Sequence, residues 1–259
     1  MALVQTQLQD NIGTIIMSNP ERRNVLSSKM VEEMLQALDA LEKSKARVII
    51  IRACEGSKVW SAGHDVNELP TSGRDPLAYS DPLVTILRSI QASPLPVIAM
   101  LEGGVWGGAC DLALSCDILI GSTTSSITMT PAKIGVPYNA SGILHFIGIM
   151  GVNIAKEMFF SAQSLTAERA EKLGIFNHMV PAEDLERFTY ELAGHIARNS
   201  PLSIKVIKEQ IRLLANAHPL SPHTFERVQG LRRLVYDSND YAEGINAFHE
   251  KRPPAFQGE

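Results

Sequence analysis

Two hydrophobic rhythms alternate along the first half of the chain, and only one continues into its last third. Ile12-Gly13-Thr14-Ile15-Ile16-Met17-Ser18 is rich in β-formers and stops at Asn19-Pro20, a turn signal. Ser27-Ser28 then offers an N-cap to a run in which Val31, Met34, Leu35, Leu38 and Leu41 recur at helical spacing. Residues 47–53 form a nearly continuous apolar run of strand length, which predicts a strand covered on both faces. The pattern repeats. A helix is predicted over 81–92, Pro94 and Pro96 break it, and a second buried strand is predicted over 97–101. Short strands follow over 117–121 and 127–130. Strand, glycine-rich turn and helix in succession predict an α/β fold with mostly crossover connections.

Beyond about Gly142 the strand signal nearly vanishes. Helices are predicted over 154–161, 167–173, 183–198, 202–217, 222–236 and 241–251, with one strand over 176–180. A helical third that cannot bury all its apolar faces alone packs on its own core or on another subunit.

Composition changes this picture little. The hydrophobic share of 45% and charged share of 20% suit an ordinary globular core. A formal net charge of −4 supplies no electrostatic footprint for nucleic acid. Cys54, Cys110 and Cys116 lack CxxC or Cys/His zinc spacing and lie in or beside apolar runs. They are expected as buried free thiols in a reducing compartment. The first residues have no basic segment followed by an apolar one, and no run approaches the ~20 apolar residues needed to span a bilayer. A cytoplasmic protein without membrane contact is expected.

The glycines carry the first chemical signal. Gly103, Gly104, Gly107 and Gly108 do not fit G-x-G-x-x-G, and no P-loop, G-x-S-x-G or H-E-x-x-H motif is present. Histidines are scattered without metal-ligand spacing, so no metal is expected. What remains is two glycine-flanked loops, each after a buried strand: Trp60-Ser61-Ala62-Gly63-His64-Asp65-Val66 and Trp106-Gly107-Gly108-Ala109. Small residues let a ligand approach the main chain, and amides at a helix start are free to donate. Two such loops facing one point would form an oxyanion hole; two tight turns without a ligand is the other reading.

At these residues the chain resembles the crotonase (enoyl-CoA hydratase/isomerase) superfamily. The matching stretches cover residues 20–26 (PERRNVL), 59–69 (VWSAGHDVNEL), 102–117 (EGGVWGGACDLALSCD), 128–138 (TMTPAKIGVPY) and 166–174 (TAERAEKLG). The resemblance implies a β-β-α spiral core over 1–195 holding the CoA and active sites. It also implies a helical oligomerisation region over 196–259, and assembly into trimers or dimers of trimers. It places the oxyanion-hole amides on His64 and Gly108 and the CoA cradle on the main chain of Ala62, Gly63, His64, Asp65 and Val66. Thr130 and Lys251 correspond to further ligand contacts, with Arg22 and Arg23 as accessory candidates for the CoA phosphates.

The reaction is narrowed by two positions. Hydratases of the superfamily use two carboxylates; the first falls on Asp111, one methylene shorter than glutamate, and the second on Ala132, which cannot exchange a proton. Within the superfamily the stretches 61–66, 73–77, 136–139 and 232–238 resemble members that decarboxylate methylmalonyl-CoA. That resemblance implies conversion to propionyl-CoA and CO₂ with no cofactor, coenzyme A being part of the substrate. It also implies that Tyr138 meets the substrate carboxylate. The tyrosine is expected to orient that group rather than act as a base. The His64 ring is expected to be solvated and idle, so that His64→Ala keeps most activity. Two alternatives stand beside this reading: a hydratase or isomerase using Asp111 alone, and a non-catalytic protein that binds CoA esters.

Overall fold

A computed structural model describes residues 2–70, 73–215 and 221–257. The central element is a six-stranded sheet in the order β1-β2-β3-β5-β7-β10. Its strands are β1 (Val4–Gln9), β2 (Ile12–Met17), β3 (Val48–Ala53), β5 (Val97–Leu101), β7 (Ile118–Ser122) and β10 (His178–Val180). β1 is antiparallel to β2, and all other pairings are parallel. A second sheet, β4 (Val59–Ser61), β6 (Gly104–Trp106), β8 (Ser126–Thr128) and β9 (Leu165–Thr166), runs parallel except for its last pair.

The run over 47–53 is covered on both faces, as its apolar pattern predicts. Ile49 and Ile51 enter the main core with Met30, Met34, Leu38 and Ile90. Val48 and Ile50 face a second core with Ile98, Ile120 and Leu185. Because side chains alternate along a strand, one apolar run serves two layers of helix. The first layer holds α1 (Ser28–Glu42) and α2 (Pro82–Ala92); the second is α6 (Leu185–Ala197). Ser27 accepts from the Met30 amide, as the Ser27-Ser28 pair predicts, and Asp81, expected as the first residue of its helix, instead caps α2 by accepting from the Leu83 amide.

The remaining helices are α3 (Gly108–Leu114), α4 (Ala140–Ser161), α5 (Ala167–Lys172), α7 (Pro201–Ala215), α8 (Pro222–Tyr236) and α9 (Asn239–Glu250). α4 begins fourteen residues earlier than the helical spacing over 154–161 predicts, capped by Asn139, whose side chain accepts from the Gly142 amide at 2.7 Å. Its 22 residues are apolar enough, by length and composition, to cross a bilayer, which corrects the expectation that no such stretch exists. The helix is broken at Gly151 (φ 76°, ψ 164°), and Phe146, Met150, Ala155 and Met158 sit in the main core. The strand expected over 176–180 forms only at His178–Val180, because Phe176 packs under Gly121 instead. Cys110 and Cys116 are buried, whereas Cys54 is only partly so; all three are free thiols.

α6 extends two residues past the boundary drawn at 195 and packs on the large sheet. α7 has no buried residue, and Leu202, Ile211 and Leu214 on α7 and Leu231 and Leu234 on α8 are exposed. α9 returns to the body, where Tyr241 and Ile245 pack against Leu69, Val66 and Ile134.

Candidate active site

The small sheet brings the two glycine loops side by side. β4 delivers the chain to Ala62-Gly63-His64, and its parallel neighbour β6 delivers it to Gly107-Gly108. Gly63 has φ +85° and Gly107 φ +54°, a backbone region that L-residues with side chains rarely adopt. A methyl group built on Gly63 would lie 2.8 Å from the Gly108 amide nitrogen and would collide with the Trp106 carbonyl oxygen. One built on Gly108 would lie 3.3 Å from the His64 amide nitrogen. The two amides expected to share an oxyanion are therefore held together by tight backbone contact. Among the described residues neither amide nitrogen donates to a protein acceptor. Gly108 opens α3, where the first amides have no intrahelical partner.

The first loop is braced from several directions. Leu26 N–H donates to the Gly63 carbonyl at 2.8 Å and Ala62 N–H to the Arg23 carbonyl at 2.9 Å. Asp65 is buried, accepts from the Asn67 backbone and side chain, and pairs with Arg22 at 2.8 Å. Burial alone would raise the Asp65 pKa, but the Asn67 hydrogen bonds and the Arg22 guanidinium hold it below the ordinary carboxylate value. Arg22 is thus partly engaged by the protein, although its side chain stays 55% exposed. Arg23 lies over the Trp106 ring at 5.8 Å.

The His64 ring is not solvated, contrary to expectation. Its Nδ1 is 3.0 Å from the Asp65 carbonyl oxygen and its Nε2 is 3.2 Å from Asp81 Oδ2, with 13% of the side chain exposed. The ring had no helical or strand periodicity to betray it, and the Asp81 contact spans sixteen intervening residues.

Asp111 lies one turn along α3 from Gly108 and is buried. Its Oδ2 accepts from the Tyr138 hydroxyl at 2.9 Å, and its Oδ1 is 2.8 Å from His145 Nδ1. The Tyr138 O–H is therefore directed at a protein carboxylate, which the sequence did not foretell. Burial, then the charge and hydrogen bond of Asp111, push the Tyr138 pKa well above its ordinary value, so the phenol keeps its proton. The Asp81 carboxylate adds to that rise. Its ring packs against Phe146 and Phe159 on α4. His145 was missed because the first turns of α4 were; the buried spacing Gly142, Phe146, Met150 after an Asn cap is the signal that marks them.

Thr130 lies under Gly107: a methyl group on that glycine would be 2.9 Å from Thr130 Oγ1. Ala132 is exposed and Lys251 is an exposed C-cap of α9. Among the described residues no group of three His, Cys, Asp or Glu side chains is arranged to hold a metal. A cavity of 690 Å³ between α2, α3, α4 and α7 has Asp111 and His145 in its wall, with Leu87, Leu114, Ile207 and Ile211; neither His64 nor Gly108 lines it.

The chain matches the enoyl-CoA hydratase/isomerase family over residues 7–259. It belongs to that family. Within the family it is 49% identical to the methylmalonyl-CoA decarboxylase of Escherichia coli (strain K12), over 96% of this chain and 95% of that protein. A solved methylmalonyl-CoA decarboxylase in complex with 2-nitronate-propionyl-CoA superposes with a TM-score of 0.97 and 48% identity, covering 99% of each chain. Another, complexed with 2S-carboxypropyl-CoA, gives a TM-score of 0.97 at 47% identity, covering 100% of this chain and 99% of that one. The α/β architecture described above is thus the crotonase fold.

Proposed function

We propose that this protein decarboxylates methylmalonyl-CoA to propionyl-CoA and CO₂ through an enolate held by the His64 and Gly108 amides. The observation that carries the reading is the close approach of those two amides, in a chain 49% identical to a methylmalonyl-CoA decarboxylase. When the bond from the α-carbon to the carboxylate breaks, its electron pair moves into the thioester carbonyl and neutral CO₂ departs. Negative charge grows on the carbonyl oxygen, and two preorganised N–H donors meet it there. Loss of one such donor typically costs about 2.7–4 kcal/mol of transition-state stabilisation. The α-carbon then takes up one proton. The thioester carbonyl is itself the electron sink, so the reaction needs neither a metal nor an organic cofactor.

The breaking bond must lie perpendicular to the thioester plane for its electrons to enter the π system. Tyr138 is proposed to orient the carboxylate by turning its O–H from Asp111 to the substrate. Its raised pKa suits a hydrogen-bond donor and not a base. The main chain of residues 62–66 is proposed to cradle the CoA, with Thr130, Lys251 and the exposed faces of Arg22 and Arg23 as further contacts. With both Asp111 oxygens engaged and alanine at position 132, nothing favours hydration as a second reading.

Exposed leucines on α7 and α8 support assembly of the chain through residues 196–259 into a homotrimer or a dimer of trimers; a cytoplasmic location is part of the same proposal. The reading is tested by mass spectrometry of the CoA species formed from methylmalonyl-CoA without added cofactor. Propionyl-CoA in step with substrate loss is expected. Unchanged methylmalonyl-CoA, together with hydration of crotonyl-CoA, would overturn it.

A further inference from the structure

Both acceptors around the His64 ring lack a proton to give. The Asp65 carbonyl oxygen faces Nδ1 at 3.0 Å and the Asp81 carboxylate faces Nε2 at 3.2 Å. A neutral imidazole has one N–H and satisfies only one of them; the imidazolium satisfies both. The ring is mostly buried, and so is its carboxylate partner, whose side chain is 14% exposed. An isolated charge in that position would be costly, whereas a paired and doubly hydrogen-bonded one is tolerated.

Asp81 does a second job from the same side chain. Its Oδ1 caps α2 by accepting from the Leu83 amide at 2.9 Å. The Leu83 methyl Cδ2 lies only 2.6 Å from where a side chain on Gly108 would begin. One carboxylate therefore grips the ring of the residue that supplies the first oxyanion amide and seats the helix turn that packs on the second.

We infer that Asp81 is a positioning residue that locks His64 as an imidazolium and holds the His64 and Gly108 amides in register for the enolate oxygen. The inference rests on the oxyanion-hole reading and adds two things to it. The His64 ring becomes part of the apparatus rather than a bystander, and its ion pair with Asp81 fixes the loop that presents the first amide.

The charged groups around the ring are few. Asp81 faces it from the N-terminus of α2, and Asp65 and Glu68 lie on its own loop and the 3-10 turn that follows. Arg22 comes from the turn at Pro20–Arg22 and is paired with Asp65. Burial lowers the His64 pKa, but the Asp81 hydrogen bond and charge, the Asp65 carbonyl and Glu68 together leave it raised. A raised folded-state pKa means the locked form is complete at pH values below the ordinary histidine pKa and is lost as pH climbs through the raised value. Activity that depends on the lock falls on the alkaline side.

The test uses the full-length protein with Asp81→Asn and Asp81→Ala. Asparagine keeps an oxygen for the α2 cap and can still meet the ring, but removes the charge; alanine removes both contacts. Two readouts do not require turnover. The first is NMR titration of the His64 imidazole, assigned by its absence in His64→Ala. The second is the affinity for a 2-nitronate-propionyl-CoA, which carries the charge of the enolate, relative to neutral propionyl-CoA. Expected for Asp81→Asn are a lowered His64 pKa and a fall of about tenfold in preference for the nitronate, short of the ~10²-fold that losing a whole donor costs. Asp81→Ala should lose more. The alkaline limb of kcat should move toward acid in Asp81→Asn while KM changes little. An unaltered titration together with a nitronate preference within about twofold of wild type in both variants would overturn the inference. Failure of the wild-type protein to consume methylmalonyl-CoA would overturn the decarboxylation reading instead, and the two binding readouts would still decide this one.

Discussion

The loop around Gly63-His64 and the turn at Gly107-Gly108 each present one amide, but they are held in place by opposite means. Side chains brace the first: Asp65 with Asn67 and Arg22, and His64 with Asp81. The second has almost none. It is a strand end and a helix start, β6 into α3, where a methyl group on Gly107 would meet Thr130 Oγ1 and one on Gly108 would meet Leu83 Cδ2. A donor on a loop needs gripping because loops are mobile, whereas a donor at a helix start inherits the rigidity of its helix.

Substitutions at the two glycines probe this contrast most directly. Gly63→Ala meets the Trp106 carbonyl and the Gly108 amide, both backbone, and must adopt φ +85°. Neither neighbour can yield without moving the proposed oxyanion amides, so a loss of ~10²–10³-fold in kcat is expected in a methylmalonyl-CoA decarboxylation assay. Tyr138→Phe belongs to neither loop and serves as a reference. It strips the proposed carboxylate contact and leaves Asp111 with His145 alone, for an expected ~10²-fold fall in kcat and about 1–3 kcal/mol of stability in urea unfolding. Gly108→Ala first meets the Leu83 methyl, the end of a flexible side chain, so about a tenfold loss is expected. Equal damage from the two glycine variants would break the comparison. Smallest of all, Arg22→Ala removes a half-exposed ion pair with Asp65 and should cost no more than about 1 kcal/mol in stability, with a modest rise in KM.

The two loops also mark where sequence reasoning runs out. The large-sheet strands β2, β3 and β5 were legible because their apolar runs are covered on both faces. The helix α1 was legible because its cap and spacing agree, and the bounds expected for α2 and α8 lie within one residue of those observed. Gly63 and Gly108 were legible as places of close backbone approach. β1 was not, since its residues, apart from Val4, are all exposed and hydrogen bonding to β2, not burial, makes it a strand. The first half of α4 was not, since Gly142, Gly148 and Gly151 read as loop formers until Asn139 is recognised as a cap. The contacts of His64 with Asp81 and of Tyr138 with Asp111 and His145 join residues 17, 27 and 34 positions apart, and no local periodicity encodes such a pairing.

Cys110 sits two residues beyond Gly108, inside the helix that opens with the proposed oxyanion amide, with its Sγ pointed at the Val105 and Thr128 carbonyls. Burial raises its pKa far above the usual thiol range, so it stays a thiol at physiological pH. A thiolate beside a bound thioester would be a competing nucleophile: it would displace coenzyme A and keep the acyl group as a thioester on the protein. Protonated and turned onto those two carbonyls, the sulfur cannot take that part, and an acyl group held at the proposed site leaves with the carrier on which it arrived.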